Sequence, residues 1–168
     1  MRKTTRMIAH AALIAAMYAT ICHCQNLLVP ESANIAIQFR VAEALCVLAF
    51  FTPTGIPGLT LGCAVFNLTF AAALPMDALI GSLATALACG GMWFFRKVTV
   101  KNVPVIGLCL PAFWNALLVG WELTVYIGGG FLINAIYVAI GEAIVMLTVG
   151  AALYYAMKKR KLDVKLFA

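Results

Sequence analysis

The residues able to do chemistry in this 168-residue chain are few, and they stand inside apolar stretches. They are Arg40 and Glu43, Asn67, Asp77, Asn115 and Glu122, and then Asn134, Tyr137 and Glu142. An ionisable group within a membrane-length apolar run is expensive to place, so it faces a protein interior or a cavity and marks a site. Asn115 and Glu122 lie seven apart and share a helix face, with Trp114 and Trp121 displaced by one residue. A carboxylate, an amide and neighbouring indoles suit a planar nitrogen heterocycle, held by hydrogen bonds and stacking. Trp121 reads equally well as a lipid-facing anchor at the bilayer interface. Glu142 is the deepest carboxylate and has no basic neighbour in its own run, so it needs Arg40, a proton or a ligand. That makes it the first site candidate. Arg40 and Glu43, three apart on one face, either neutralise each other or contact the ligand. Asp77, two residues after Pro75 at a helix start, reads first as a cap.

Covalent and metal chemistry find little support. No nucleophile stands with a base, no acidic metal cluster is present, and Gly128-Gly129-Gly130 runs into Phe131 without the Lys of a phosphate loop. The expectation is a protein that is not an enzyme and needs no cofactor. Five of the six cysteines lie in apolar runs as small buried hydrophobes. Cys22-His23-Cys24 would need two further ligands to hold a metal, and whether Cys24 pairs with Cys22 or another outer cysteine stays open. His10 and His23 read as polar residues near the two ends of the first helix.

The elements that must position these groups follow from hydropathy and charge. With 64% hydrophobic residues, too little polar surface remains to coat a water-soluble globule, so the chain is expected to be an all-α integral membrane protein, a single domain over 1–168. Spans of roughly 20 residues are needed to cross about 30 Å of hydrocarbon. Segments near 7–28, 76–95, 103–122 and 131–157 qualify. The stretch from Phe39 to Ala73 is broken by Thr52-Pro53-Thr54-Gly55-Ile56-Pro57-Gly58 into two pieces of about 15 residues. The apolar start continues too far for a signal peptide and is expected to stay as the first span.

Eleven of the twelve Lys and Arg residues fall in three clusters: Arg2, Lys3 and Arg6; Arg96, Lys97 and Lys101; Lys158 to Lys161 with Lys165. Juxtamembrane bases stay cytoplasmic, which places both termini and one loop on the inner side of the cell membrane. These short clusters carry no nucleic-acid-binding motif, so no nucleic acid partner is expected. An even number of crossings must separate the N-terminus from the Arg96 loop, and two short crossings between residues 39 and 73 satisfy that, as would a re-entrant hairpin. Two crossings are favoured because exposed backbone at membrane depth must be sheltered by other protein. The result is six transmembrane helices with both termini cytoplasmic, and outer loops near 29–38, 73–77 and 123–130. The first of these either lies extended over the bundle as a cap or is a plain connection.

On that topology the polar residues fall in the outer half and the inner half is greasy. A channel would need polarity continuing to the other side, whereas a dead-end pocket would not. An outward-facing cavity for a polar small molecule is therefore expected. Ala9, Ala12, Ala16 and Ala19 recur at three or four along the first helix, a small-residue stripe that either packs internally or docks a partner.

Several blocks resemble the QueT family of membrane proteins. They are Phe39-Arg40-Val41-Ala42-Glu43-Ala44-Leu45 running into Phe50-Phe51-Thr52-Pro53, Ile56-Pro57-Gly58-Leu59, Gly62-Cys63 with Asn67-Leu68, Gly81-Ser82-Leu83-Ala84-Thr85, Asn115-Ala116 with Glu122-Leu123, Leu132-Ile133-Asn134-Ala135, Tyr137-Val138-Ala139 and Gly141-Glu142-Ala143. The resemblance implies the substrate-binding S component of an energy-coupling factor (ECF) transporter, with a six-helix fold and an outer ligand site. It further implies a transmembrane coupling protein and two cytoplasmic ATPases as partners, with Ala12 and Ala16 matching the stripe that meets the coupling protein. The implied cargo is queuosine or a deazaguanine precursor such as preQ1 or queuine. Glu122 or Glu142 would accept the ring N–H and exocyclic amine, Asn115 or Asn134 would read the carbonyl, and Tyr137 or Trp114 would stack. Another vitamin-like cargo, or a non-transport membrane assembly subunit or enzyme, stays open at this point, since fold does not fix function.

Overall fold

Backbone N–H and C=O groups have no water to bond in hydrocarbon, and this chain satisfies them within helices. The structure is a computed structural model and describes residues 3–30, 39–70, 73–100 and 102–161. Helix α1 runs Lys3–Leu28, a 3-10 helix covers Val41–Phe50, and α2 covers Gly55–Thr69. Helix α3 is Asp77–Phe94 and α4 is Val105–Tyr126. Helix α5 (Phe131–Val145) continues through a π-helical turn (Met146–Gly150) into α6 (Ala151–Lys159). No strand occurs among the described residues; the nearest thing to one is an isolated bridge between Val100 and Val103.

Four helical runs are long and apolar enough to cross a membrane: Lys3–Leu28, Asp77–Phe94, Val105–Tyr126 and the continuous Phe131–Lys159. They match the four segments expected from hydropathy. The two shorter apolar helices, Val41–Phe50 and Gly55–Thr69, are the expected halves of the broken stretch. The break is narrower than the Pro-Gly run suggested, because α2 already begins at Gly55 and takes Pro57 into its first turn, where a missing N–H costs nothing. Most of the first outer loop, from residue 31 to 38, lies outside the described residues.

The 3-10 helix is the hub. Nine of its ten residues are buried, and α1, α2, α3, α4, α5, the π turn and α6 all pack on it. A 3-10 helix rises about 2 Å per residue, so ten residues reach roughly 20 Å where an α-helix would reach 15. Apart from Glu43 its sequence is apolar all round, which suits an element packed on every side by other helices. Around it the helices pack in chain order, α1 on α2, α2 on α3, α3 on α4 and α4 on α5.

Close approach of α1 and α2 depends on glycine. A Cβ at Gly58 would come within 2.9 Å of the Ala11 carbonyl and the Ile14 side chain, and one at Gly62 within 2.7 Å of the Tyr18 Cβ. Small residues let membrane helices approach in this way. The face of α1 carrying Ala11, Ile14, Ala15 and Tyr18 thus packs internally, while Ala12 and Ala16 one residue round are exposed.

Candidate functional site

The 3-10 helix enters the bundle at Arg40, and Gln25 of α1 fixes that entry by donating to the Phe39 carbonyl at 2.5 Å and accepting from the Val41 N–H at 2.9 Å. Arg40 is 3% exposed. Its guanidinium lies 4.0 Å from the Glu43 carboxylate and 3.8 Å from the Cys63 sulfur, with its carbon 5.8 Å from the centre of the Phe66 ring. Glu43 is satisfied by its own scaffold. The Tyr18 hydroxyl donates to Oε1 and the Cys46 thiol donates to Oε2 at 3.1 Å. Both oxygens being used, Glu43 holds Arg40 and anchors α1 to the hub.

Glu122 and Glu142 differ. Both are fully buried, and none of their four carboxylate oxygens has a hydrogen-bond partner. The charges acting on Glu142 are those of Glu43 and Arg40; those acting on Glu122 are Asp77 and Arg40. Arg40 is therefore common to both. Asp77 and Glu122 are close neighbours, and two carboxyl groups hydrogen-bond each other only when one of them carries a proton; with both ionised the Glu122 oxygens have no donor. Asp77 also accepts from the Leu74 N–H at 2.6 Å, pinning the turn before α3 as a cap would.

Asn67 donates to the Asp77 carbonyl at 2.9 Å and keeps its own amide oxygen buried and unpaired. Gly81 lies beneath it. A Cβ there would sit 2.9 Å from the Asn67 nitrogen and 4.0 Å from the Arg40 guanidinium, so the glycine leaves room for both. Asn115 is 1% exposed and its amide nitrogen is unpaired. On α4, Leu108, Ala112, Asn115, Val119, Glu122 and Leu123 are all buried, which is the three-to-four spacing of an inward face. Pro111 leaves the Gly107 carbonyl without an intrahelical donor one turn before Asn115.

Other candidates are placed elsewhere. Trp114 is half-buried against Phe113 and Trp121 is 49% exposed. Tyr137 is 42% exposed. Asn134 donates to the Thr124 hydroxyl and the Gly128 carbonyl, each at 3.0 Å, and so ties the α4–α5 turn, where Gly128 and Gly129 adopt φ of 92° and 82°. Sequence reasoning passed over the Tyr18 and Cys46 donors to Glu43, and it passed over Asn26, whose two amide atoms are buried without partners.

The cysteines are all free thiols, with Cys22, Cys46, Cys63 and Cys89 buried. Among the described residues no group of three His, Cys, Asp or Glu side chains is arranged to hold a metal ion.

Eight buried side-chain atoms among the described residues lack a partner: six acceptor oxygens, from Glu122, Glu142, Asn67 and Asn26, and two amide nitrogens, of Asn115 and Asn26. Among the described residues four buried acidic side chains (Glu43, Asp77, Glu122 and Glu142) stand with one buried basic side chain, Arg40. Natural proteins leave few buried polar groups unpaired, and such a group costs about 1–3 kcal/mol, more when charged. Unpaired acceptors in this number suit a ligand rich in N–H donors.

No curated protein and no solved structure matches the chain. The family model described as QueT transporter matches residues 8–159, which takes in every helix from within α1 to the end of α6. A membrane transport role follows from that match together with the apolar helices, and the chain belongs to the QueT transporter family.

Proposed function

We propose that the chain is the substrate-binding S component of an ATP-driven ECF uptake transporter in the cell membrane, and that it binds a deazaguanine related to queuosine. The supporting observation is the excess of unpaired buried acceptors around Glu122 and Glu142. A deazaguanine presents its ring N–H beside the exocyclic amine, and one carboxylate accepts both. Its carbonyl asks for a donor, which the Asn115 amide nitrogen offers. An aminomethyl substituent adds an ammonium group for the second carboxylate, offsetting the surplus of negative charge. Arg40 then holds Glu43 and tempers the repulsion among the acids. An anionic vitamin would meet four carboxylates and one guanidinium, which disfavours it.

In this reading the helices cross the membrane six times with both termini inside, the two short helices serving as sheltered crossings. The transmembrane coupling protein docks on the exposed Ala12 and Ala16, and two cytoplasmic ATPases supply the energy. Detergent-purified protein should be stabilised against heat by 7-aminomethyl-7-deazaguanine and not by guanine or thiamine. Equal stabilisation by thiamine would point to another vitamin-like cargo, and no response to any deazaguanine would reject the assignment.

A further inference from the structure

Asn26 stands on a face of α1 that already belongs to the site. Tyr18, Cys22 and Asn26 are spaced by four, so they line one side of the helix. Tyr18 donates to Glu43, and Cys22, one turn on, is fully buried. One further turn, roughly 6 Å along the axis, brings the face to Asn26. Its neighbour Gln25 clasps the chain on either side of Arg40 through Phe39 and Val41. The outer end of α1 is thus tied to the chain on both sides of Arg40, and there both atoms of the Asn26 amide are buried and unpaired.

A primary amide offers an acceptor and a donor side by side, and its complement is a ring edge with an N–H next to an acceptor. On a deazaguanine the lactam edge is served by a carboxylate and Asn115. The remaining edge of that pattern is the pyrrole N–H beside the pyrimidine nitrogen, which a free base has and a nucleoside loses because ribose replaces that hydrogen. We propose that Asn26 is a ligand-binding residue that reads this edge with both amide atoms, so that the site takes the free base in preference to its nucleoside. The proposal rests on the deazaguanine reading above.

The test compares binding of 7-aminomethyl-7-deazaguanine and of its ribonucleoside to the detergent-purified full chain, in the wild type, Asn26→Leu and Asn26→Ala, with the unfolding temperature of each unliganded protein. The wild type should favour the base by at least about tenfold. Both variants should lose about that factor for the base, keep their affinity for the nucleoside, and unfold no earlier than the wild type, because an unpaired buried amide has been removed. Wild-type protein that binds base and nucleoside equally overturns the proposal while leaving the deazaguanine reading intact, and this arm holds even if neither variant folds. Variants that keep the wild-type preference also overturn it. Wild-type protein that binds neither compound overturns both.

Discussion

At the scale of single residues, the proposed ligand-binding carboxylates differ from the structural one in whether their oxygens are satisfied. Glu43 has a donor on each oxygen, whereas Glu122 and Glu142 have none. Removing the hydroxyl in Tyr18→Phe should cost about 1–3 kcal/mol, since a buried charged acceptor loses its donor. Thermal unfolding in detergent measures this, with ligand affinity falling less than stability. Glu122→Gln and Glu142→Gln should do the reverse. Each should weaken deazaguanine binding by about tenfold or more with unliganded stability held or raised, because an amide replaces a buried carboxyl group whose oxygens have no partner. Titration of the two purified variants checks this, and wild-type affinity in both would remove these carboxylates from the site. These groups were legible in the sequence because a polar residue in an apolar run has few places to go. Tyr137 stands apart from Glu142 for a geometric reason: at about 100° per residue, five residues turn it roughly 140° away, and the structure leaves it exposed. Asn26 was not legible. At the end of a span an amide reads as an interface residue, and only three-dimensional burial distinguishes it.

At the scale of elements, the site is held by short, closely packed pieces. The 3-10 helix carries Glu43 and Cys46 into the centre of the bundle, and its entry is fixed by Gln25 on α1. Its existence as a short apolar helix was legible from the Pro-Gly interruption. Its pitch was not, because an apolar run of this composition suits either winding and the choice is made by the helices packed around it. The π turn after Glu142 likewise left no sequence mark; such turns occur often at functional sites. The glycines of α2 give an expected outcome at this scale. Gly62→Ala would place a Cβ 2.7 Å from that of Tyr18 and 2.9 Å from the Ala15 carbonyl. Backbone has to move there, so the substitution should destabilise by about 1–3 kcal/mol and pull Tyr18 from Glu43. The unfolding temperature and ligand affinity should fall together. Gly81→Ala should instead displace the Asn67 amide, only 2.9 Å from the new Cβ, and lower affinity with a small change in stability.

At the scale of the whole molecule, the buried face of α1 that carries Tyr18 and the exposed alanines Ala12 and Ala16 point in different directions. The face of α1 that meets Gly58 and Gly62 is occupied, whereas Ala12 and Ala16 are exposed beside it. The sequence left internal packing and partner docking both open for this stripe, because residues one position apart on a helix point about 100° apart and periodicity does not say which direction is filled. Replacing Ala12 and Ala16 with Leu should therefore leave ligand binding and stability near wild type and abolish uptake in cells carrying the intact transporter. Loss of binding together with uptake would assign those alanines to internal packing. The central claim is that the unpaired buried acceptors of Glu122 and Glu142 recognise a cationic deazaguanine, and calorimetric titration of the purified protein with paired ligands addresses it most directly. The 7-aminomethyl compound should bind at least about tenfold more tightly than its neutral 7-methyl counterpart at pH 7; equal affinity for the two, or binding of neither, would contradict it.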